Sequence, residues 1–365
     1  MKILLLGEYS NVHATLAKGL RKLGHEVTVV SNGDFWKDYP RDIDVSRPTG
    51  RFGGLRLMAR ISTILPRMRG YDIVQLINPM FFELKAERLL PIYKYLRRHN
   101  KRIILGAFGM DYYWVHENIT RMPLRYSDFN IGKTLRTDDI AMRDREDWLG
   151  TAKGRLNQLI AHDCDGIVTG LYEYHITYQP LFPAKTTFIP FPIVCDSHPM
   201  PCPEPHTPLR LFIGISRKRS KYKGTDIMLA AAQAVRSKHP DKIELRVAEG
   251  LPFSQYVRLM QGSDAICDQL YSYTPAMNAL EAMSHGIIAI GGGEPENYEI
   301  LHEKELRPII NVRPDSDSVF HEIEALALHP ERVPELKRQS VEYIRRHHEY
   351  MKVARQYEAF YKKLL

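Results

Sequence analysis

The sequence predicts an α/β protein with two doubly wound, mostly parallel sheets in two domains that face a cleft. Three observations support this prediction. The chain has 365 residues, a length that suits two domains. Short apolar runs alternate with helical segments in two successive series, and a proline-rich stretch separates the series. The composition, 44% hydrophobic and 26% charged, excludes collagen-like and largely disordered proteins.

The first series begins with a β-α-β unit. Lys2–Gly7 is a short apolar run, the segment from His13 to Leu23 places leucines on one helical face, and Glu26–Val30 is rich in β-branched residues. The other runs are continuous rather than alternating, as expected for parallel strands covered on both faces. These further strands are predicted at residues 72–77, 101–107, 166–169 and 186–189.

The second series follows residues 199–208, which contain five prolines in ten positions and predict an exposed connection. Residues 341–365 contain neither glycine nor proline and predict one or two closing helices. The strands of the second series are predicted at 209–214, 243–248, 265–267 and 287–290. We therefore expect an N-terminal domain, a C-terminal domain and a C-terminal helix packing back on the N-terminal domain. Their expected ranges are 1–192, 193–345 and 346–365.

Positive charge is concentrated in the predicted N-terminal domain. Residues 1–192 contain 28 Lys and Arg against 20 Asp and Glu, so the net charge of +8 comes from this part of the chain. Such asymmetry indicates an anionic partner or surface. The four cysteines form no CxxC pair, and there is neither a signal-peptide core nor a transmembrane run. We expect a cytoplasmic protein with reduced thiols.

A cluster of basic residues follows the first strand of the second series. Gly214 ends the run LRLFIG, and five of the seven residues from Arg217 to Lys223 are Arg or Lys. Gly224 then precedes a helix predicted to begin near Thr225. Because a helix N-terminus offers free N–H groups and partial positive charge, this turn suits a nucleotide diphosphate. The alternatives are a solvated basic loop and a nucleic-acid patch.

The residues from Tyr273 to Gly286 predict a helix with one internal carboxylate. Thr274 suits the N-cap, Pro275 the first helical position, and Gly286 the position after the last turn. Glu281 either points into a cleft, pairs with a buried partner or is an ordinary exposed glutamate. Its side chain leans toward the N-terminal end of the helix, and a carboxylate accepts hydrogen bonds from the adjacent hydroxyls of a ribose.

These two segments resemble the donor-binding half of GT-B fold glycosyltransferases, most closely the large retaining family four. They are GISRKRSKYKGTD at 214–226 and DQLYSYTPAMNALEAMSHGIIAI at 268–290. The likeness of layout covers nearly the whole chain. The stretch MKILLLGEYSNVHATLAKGLRKLGHEVTVVS resembles the family's first β-α-β unit, and DGIVTG with FIPFPIV resembles its entry into the second domain.

The resemblance implies transfer of a sugar from a UDP- or GDP-linked donor to a glycan or lipid-linked acceptor, with retention and without a metal or other cofactor. It assigns the donor diphosphate to Lys223 and to Arg217 or Lys218, and the ribose to Glu281. The other residues that it assigns to donor binding are Gly214, Gly224, Tyr273, Thr274, Ala276, Met277 and Asn278.

One position departs from the family pattern. The first glutamate of the family's Glu-x7-Glu motif falls at Tyr273, and the glycine that follows it falls at Ala276. A tyrosine lacks the charge and the acceptor strength of a carboxylate, so the donor sugar is left open. The backbone N–H groups from Ala276 to Asn278 are still suited to the diphosphate.

Polar residues at the carboxyl ends of the N-terminal strands are candidates for acceptor contacts. Asn11 and His13 follow the first strand, and Asp111 follows the run RIILGAFG. We expect His13 to position the substrate rather than to act as a base; the alternative is a histidine satisfied within the fold. For Asp111 the alternative is a structural role in a turn.

Residues 46–70 contain six arginines and no acidic residue. Leu55, Met58, Ile61 and Leu65 predict an amphipathic helix. The favoured interpretation is a helix that packs its apolar face on the sheet and leaves its arginines in solvent. The alternative is a peripheral contact with an anionic membrane, on its inner face.

Three Asp-x-Asp triplets, at 42–44, 163–165 and 315–317, are treated as chance, and no metal site is predicted. Two alternatives to the transferase stay open. One is a non-catalytic protein that binds anions or nucleic acid through the basic turn, whereas a transferase is expected to have no specific nucleic-acid partner. The other is a sugar-nucleotide epimerase on the same two-domain fold.

Overall fold

The computed structural model describes residues 1–195, 204–216, 220–251 and 253–365. Its strands are β1 (Lys2–Leu6), β2 (Glu26–Ser31), β3 (Ile43–Asp44), β4 (Ile73–Leu76), β5 (Arg102–Ala107), β6 (Asn130–Ile131), β7 (Thr134–Leu135), β8 (Gly166–Thr169), β9 (Thr186–Phe188), β10 (Leu209–Ile215), β11 (Ile243–Glu249), β12 (Ala265–Cys267), β13 (Ile288–Gly291) and β14 (Ile310–Asn311). Its α-helices are α1 (Val12–Lys22), α2 (Gly53–Ile64), α3 (Ala86–His99), α4 (Tyr112–Thr120), α5 (Asp139–Trp148), α6 (Ala152–Asp163), α7 (Tyr172–Tyr178), α8 (Ser220–Lys223), α9 (Thr225–Lys238), α10 (Phe253–Gln261), α11 (Met277–Ser284), α12 (Pro295–Ile300), α13 (Ser316–Leu328), α14 (Val333–Tyr343) and α15 (Tyr350–Leu364).

The chain forms two compact units. The first unit comprises Met1–Pro123, Arg143–Pro192 and Tyr350–Leu365, and the second comprises Leu124–Met142 and Ile193–Glu349. The sequence-based ranges placed residues 124–142 in the N-terminal domain, whereas in the structure this segment, hereafter the arm, belongs to the second unit. The arm contains the β6–β7 hairpin, and its arginines pair with residues of the second unit, as described below.

The first unit contains a seven-stranded parallel sheet in the order β3-β2-β1-β4-β5-β8-β9. The central strands β1, β4, β5 and β8 are almost entirely buried, in agreement with the continuous apolar runs that predicted them. The edge strands β3 and β9 are only partly buried. Helix α15 belongs to this unit and packs on α1. The Lys22 ammonium donates to the Tyr350 hydroxyl over 2.6 Å, and the Tyr361 hydroxyl donates to Gln75 over 2.8 Å.

The second unit contains a five-stranded parallel sheet in the order β11-β10-β12-β13-β14. One face of this sheet packs against α9 and α13 in a single core. At its amino edge the buried carboxylate of Asp264 accepts hydrogen bonds from Arg210 and from Lys337 at 2.9 Å. Burial raises the pKa of Asp264, but these two cations outweigh burial and hold that pKa well below its usual range.

Most predicted strands lie where the sequence placed them, and the bounds at 166–169 and 265–267 agree with β8 and β12. The predicted helix at Thr274 is wrong at its start, because α11 begins at Met277 and Ala276 is its N-cap residue. Gly286 follows the end of α11 with a φ of +71°, as the sequence predicted. The connection at 199–208 lies largely outside the described residues, as does Cys202.

The arginine-rich segment 46–70 forms α2 and a following 3-10 turn. Leu57, Ile61 and Met68 are buried, so this helix packs one apolar face on the first unit. Leu55 was predicted on that face, but it is 59% exposed because the buried stripe is centred on Leu57 and Ile61. Phe52, before the first turn of the helix, is also exposed.

Candidate functional site

The basic turn of the second unit lies beside the segment that leads into α11. The Leu270 N–H donates to the Lys223 carbonyl over 2.8 Å, and β10 and β12 are hydrogen-bonded neighbours in the sheet. Gly224 has a φ of +71°, and a Cβ at this position would lie 2.6 Å from the Leu270 Cβ. The close approach of the two segments therefore requires glycine at 224.

The cations of this turn are only partly within the described chain. Arg217 and Lys218, predicted to contact the diphosphate, lie outside the described residues. Lys223 is half-buried at the end of α8, and α9 begins at Thr225, as predicted. The charge of Lys223 acts on the carboxyl group of Asp268, which it favours in the ionised form.

Asp268 is a residue of this site that the sequence analysis missed. It directly follows β12 and is 5% exposed, and its Oδ1 accepts a hydrogen bond from Asn278 Nδ2 over 3.3 Å. Its Oδ2 is buried without a hydrogen-bond partner among the described residues. Burial raises the pKa of Asp268, and the charge of Lys223 and the Ala276 N–H oppose that rise. An acidic residue at the carboxyl end of a buried strand was the available sequence signal.

The start of α11 is partly accessible. Ala276, Met277 and Asn278 are intermediate in exposure, whereas Thr274 is buried. The backbone groups predicted to hold a diphosphate therefore lie next to the Asp268 carboxyl group and near Lys223. An anion at this helix start gains from the lysine and the helix dipole, and it gains most when Asp268 is protonated.

Tyr256 of α10 packs beside Gly214 and makes a hydrogen bond with Asn278. A Cβ at Gly214 would lie 2.7 Å from the Tyr256 ring, and the Tyr256 hydroxyl donates to Asn278 Oδ1 over 3.0 Å. Burial raises the pKa of Tyr256 to about 12, so its hydroxyl stays protonated as the donor. The space beside Gly214 is thus occupied by an aromatic side chain in this structure.

Glu281 lies on α11 three residues after Asn278, so the two side chains share a helix face. Its side chain is about half exposed, and its Oε1 lies 3.4 Å from His285 Nε2. The described end of the basic turn, Ser220–Lys223, thus lies beside the segment that leads into α11, and Glu281 lies on the same helix. A contact of Glu281 with the ribose stays a prediction.

Tyr273 has a different environment from that of an exposed sugar ligand. It is 1% exposed, and its hydroxyl accepts the Arg125 N–H of the arm over 2.6 Å. The Arg125 guanidinium lies 4.8 Å from the centre of the Tyr273 ring and pairs with Glu294 at 2.8 Å and Glu296 at 2.5 Å. The Tyr126 hydroxyl donates to Glu294 as well. Residue 273 is therefore part of a packed cluster, and its role in donor binding stays a prediction.

Arg136 attaches the arm to the basic turn. Its side chain is buried, and its Nη2 donates to the Lys221 carbonyl over 2.9 Å. The guanidinium also lies 3.7 Å from the centre of the Tyr271 ring and pairs with Asp138 at 3.0 Å. Arg136 thus fixes the backbone just before Lys223. Sequence reasoning missed this role because Lys221 and Tyr271 lie 85 residues or more from Arg136 along the chain.

His13 and Asn11 belong to the start of α1 in the first unit. The His13 Nδ1–H donates to the Gly7 carbonyl over 2.8 Å, and Nε2 accepts from Gln75 at 3.1 Å. Burial lowers the pKa of His13 to about 3, so the ring is neutral and both its nitrogens are engaged. Asn11 is the N-cap residue of α1 with a φ of +71°, and its side chain makes no capping hydrogen bond.

Asp111 is the N-cap residue of α4. Its Oδ1 accepts the Trp114 N–H over 2.8 Å, and its Oδ2 accepts the Tyr178 hydroxyl over 2.7 Å. Burial raises the pKa of Asp111 to about 7. These contacts are those of a helix-capping residue, and an acceptor contact by Asp111 stays a prediction. Across the described ranges, no group of three or more His, Cys, Asp or Glu side chains is arranged to hold a metal ion.

Solved structures share this fold at low sequence identity. Sucrose-phosphate synthase from Thermosynechococcus elongatus has a TM-score of 0.64 and 13% identity, over 100% of this chain and 99% of that one. Anabaena HepE, solved in complex with UDP and glucose, has a TM-score of 0.59 and 13% identity over the whole of both chains. UDP-GlcNAc 2-epimerase from Neisseria meningitidis, bound to UDP-GlcNAc, has a TM-score of 0.54 and 11% identity, also over both whole chains.

No protein-family model matches the chain, and no curated protein matches it in sequence. The structural likeness covers the whole of this chain and at least 99% of each of these three proteins. The chain therefore has the GT-B fold that glycosyltransferases share with UDP-sugar epimerases.

Proposed function

We propose that the protein is a glycosyltransferase that takes a sugar from a nucleotide-diphosphate-sugar, with UDP as the favoured nucleotide. The second unit binds the donor, and the first unit binds a glycan or lipid-linked acceptor. Retention of configuration and independence of metal are part of this proposal and come from the resemblance to retaining family four.

The observation that carries the proposal is the hydrogen bond between the Leu270 N–H and the Lys223 carbonyl. It supports the prediction that a basic turn and a helix start act on one anion, because the two segments are distant in sequence and adjacent in the fold. The fold likeness to proteins solved with UDP or a UDP-sugar adds support of the same kind.

In this proposal the diphosphate leaves with a growing negative charge, and fixed cations and N–H groups offset that charge. Lys223, Arg217 or Lys218, and the start of α11 supply them. Glu281 accepts hydrogen bonds from the ribose hydroxyls. No residue of the chain is needed as a nucleophile under this hypothesis.

Calorimetric titration with UDP and GDP tests the donor site, beside a random oligonucleotide. We expect UDP to bind, and Glu281→Ala and Lys223→Ala to weaken its binding at least tenfold. Glu322→Ala, a glutamate of α13, is the matched control and should bind UDP as the parent chain does. Strongly salt-dependent binding of the oligonucleotide alone would instead favour a nucleic-acid binder.

The second candidate is a UDP-sugar epimerase, favoured by the likeness to the 2-epimerase from Neisseria meningitidis. An epimerase needs no acceptor, so incubation with UDP-GlcNAc alone separates the two. A new sugar nucleotide in the proton NMR spectrum identifies an epimerase, whereas a transferase requires an added acceptor and releases UDP. The anomeric signal of the transferred sugar then reports retention or inversion, and the same assay with a chelator tests metal independence.

Among the described residues, no helix has the length and apolar character needed to span a bilayer. We also propose a peripheral contact with anionic lipid through residues 46–70. Phe52 and Leu55 are exposed beside the arginines of α2, an arrangement that suits a lipid surface. Vesicles with anionic lipid should sediment the protein at low salt and release it at high salt, and Leu55→Glu should reduce the sedimented fraction. Absence of sedimentation would contradict the contact.

A further inference from the structure

The first unit has a pocket at the carboxyl edge of its sheet that none of the residues predicted for the acceptor lines. Its volume is about 450 Å³. Glu8 follows β1, Asn32 follows β2 and Ile77 follows β4, and all three line the pocket. Because β1 lies between β2 and β4, this is where the strand order of the doubly wound sheet reverses. Such sheets bind ligands at this position. We call this cavity the switch-point pocket.

The wall of the switch-point pocket is largely apolar. Its apolar members are Phe35, Val45, Ile77, Met80, Phe81, Phe82 and Leu84. Phe81 and Phe82 are buried, and their rings are in edge-to-face contact with 5.0 Å between the ring centres. This part of the wall is therefore packed into the core. A hydrocarbon chain or the face of a sugar ring gains from contact with such a wall.

The charged groups of the pocket favour an anion. Arg47 and Lys85 line it, and the described residues hold no carboxylate in an ion pair with either. Lys153 lines it as well but pairs with Asp147 at 2.5 Å. Glu83 is the one carboxylate of the lining that is not buried, and it accepts the Arg47 backbone N–H over 3.3 Å. The cations therefore outnumber the negative charge of Glu83.

The buried carboxyl group of Glu8 does not cancel this positive charge. Glu8 is 2% exposed and accepts the N–H groups of His13 at 3.2 Å and Ala14 at 2.8 Å. Burial raises the pKa of Glu8 to about 8, and the nearby charge of Asp34 adds to that rise. At neutral pH Glu8 is thus mostly protonated and has an O–H group with which to donate to a ligand.

From this geometry we infer that the switch-point pocket binds the acceptor, and that the acceptor carries an acidic group, a phosphate or a carboxylate, on an apolar or ring-shaped body. The identification of this ligand as the acceptor rests on the proposed function, whereas the binding of an acidic ligand to the pocket does not. Arg47 and Lys85 are the groups that select the acid. The acid belongs either to a water-soluble sugar or to the headgroup of a lipid.

Calorimetry with two matched pairs of probes tests the inference on the full chain. The pairs are glucose 6-phosphate against glucose, and monomeric dodecyl phosphate against dodecyl glucoside. We expect the acidic member of at least one pair to bind at least tenfold more tightly than its neutral partner. Binding of the first pair indicates a water-soluble acid, and binding of the second alone indicates a lipid-linked one.

Substitutions assign the binding to the pocket. Arg47→Ala and Lys85→Ala should each weaken the acidic probe by about tenfold to a hundredfold, the value of one charge-assisted hydrogen bond. Arg47→Lys keeps the charge and should retain most of the affinity. The exposed Arg56 of α2 does not line the pocket, so Arg56→Ala should leave the affinity unchanged within twofold.

Equal binding of acidic and neutral probes would overturn the inference, and so would wild-type affinity in both Arg47→Ala and Lys85→Ala. UDP affinity is measured on the same variants, because it reports the donor site and not the pocket. A chain that binds UDP but no acidic probe contradicts the inference and leaves the proposed function standing. A chain that binds the acidic probe but no nucleotide supports the inference and contradicts the proposed function.

Discussion

The buried carboxyl group of Glu8 gives the sharpest test of the structure. In the folded chain its pKa is about 8, whereas the ordinary value is 4.5. Between these two values an unfolded chain loses a proton that the folded chain keeps, so the free energy of unfolding falls as pH rises. The full difference corresponds to about 5 kcal/mol, of which about 3 kcal/mol develops between pH 5 and 8.

Glu8→Gln removes this titration and keeps the shape of the side chain. The amide changes the hydrogen bonds with the N–H groups of His13 and Ala14, but that cost does not depend on pH. The free energy of unfolding of the variant, relative to the parent chain, should therefore increase by about 3 kcal/mol from pH 5 to pH 8. Other groups, among them Asp111, titrate in both chains and cancel in the difference.

Urea denaturation followed by tryptophan fluorescence measures this difference on the first unit, which contains Glu8. The three tryptophans of the chain, Trp36, Trp114 and Trp148, all lie in the first unit. Glu87→Gln, at an exposed position in the first turn of α3, is the control and should show a difference that is flat with pH. A Glu8→Gln difference that stays within 1 kcal/mol between pH 5 and 8 would refute a buried, protonated Glu8.

Variants at three further positions test the second unit. Lys223→Ala should lower UDP affinity at least tenfold, because one charge-assisted contact to the diphosphate is lost, and it should change the melting temperature by only a few degrees. Unchanged affinity in calorimetry would remove Lys223 from the donor site. Arg136→Ala should destabilise the unit by about 2–4 kcal/mol in urea denaturation followed by circular dichroism, since it leaves the Ser127 and Lys221 carbonyl groups without this donor and Asp138 without its ion-pair partner. Arg136→Lys should recover less than half of this loss. Tyr273→Phe should lower the free energy of unfolding by about 1 kcal/mol, because the Arg125 N–H loses its acceptor, and it should leave UDP affinity unchanged within twofold. A large loss of affinity at unchanged stability would mean that the hydroxyl contacts the donor.

The sequence sufficed for the elements whose formation depends on local pattern. Continuous apolar runs located the parallel strands, because a strand that is covered on both faces has apolar side chains on both of them. Gly224 was singled out beside a strand and a helix, and the structure shows the close contact with Leu270 that makes glycine necessary there. These features are set by a few neighbouring residues, so they are visible in a single sequence.

The features that the sequence did not predict depend on contacts between distant residues. The arm has only two-residue strands, and its place in the second unit rests on Arg125 pairing with Glu294, 169 positions away. The start of α11 was placed two residues too early, because Thr274 has the residue type of an N-cap but is buried in the fold. Glu8 and Asp268 were missed although both follow a buried strand and lie in segments that resemble the family, because the resemblance assigns neither residue a role.

The tyrosine at position 273 and the arm are physically connected. Glu294 and Glu296 already share the Arg125 guanidinium beside this position. A third carboxylate at residue 273 would lie among these acids in a buried site, where like charges raise each other's pKa and destabilise the fold. A tyrosine avoids this repulsion, accepts the Arg125 N–H through its hydroxyl and supports the guanidinium with its ring. The arm thus requires a neutral residue where the resembling family has a glutamate. Under the proposed function, recognition of the donor sugar must therefore come from groups other than a carboxylate at position 273.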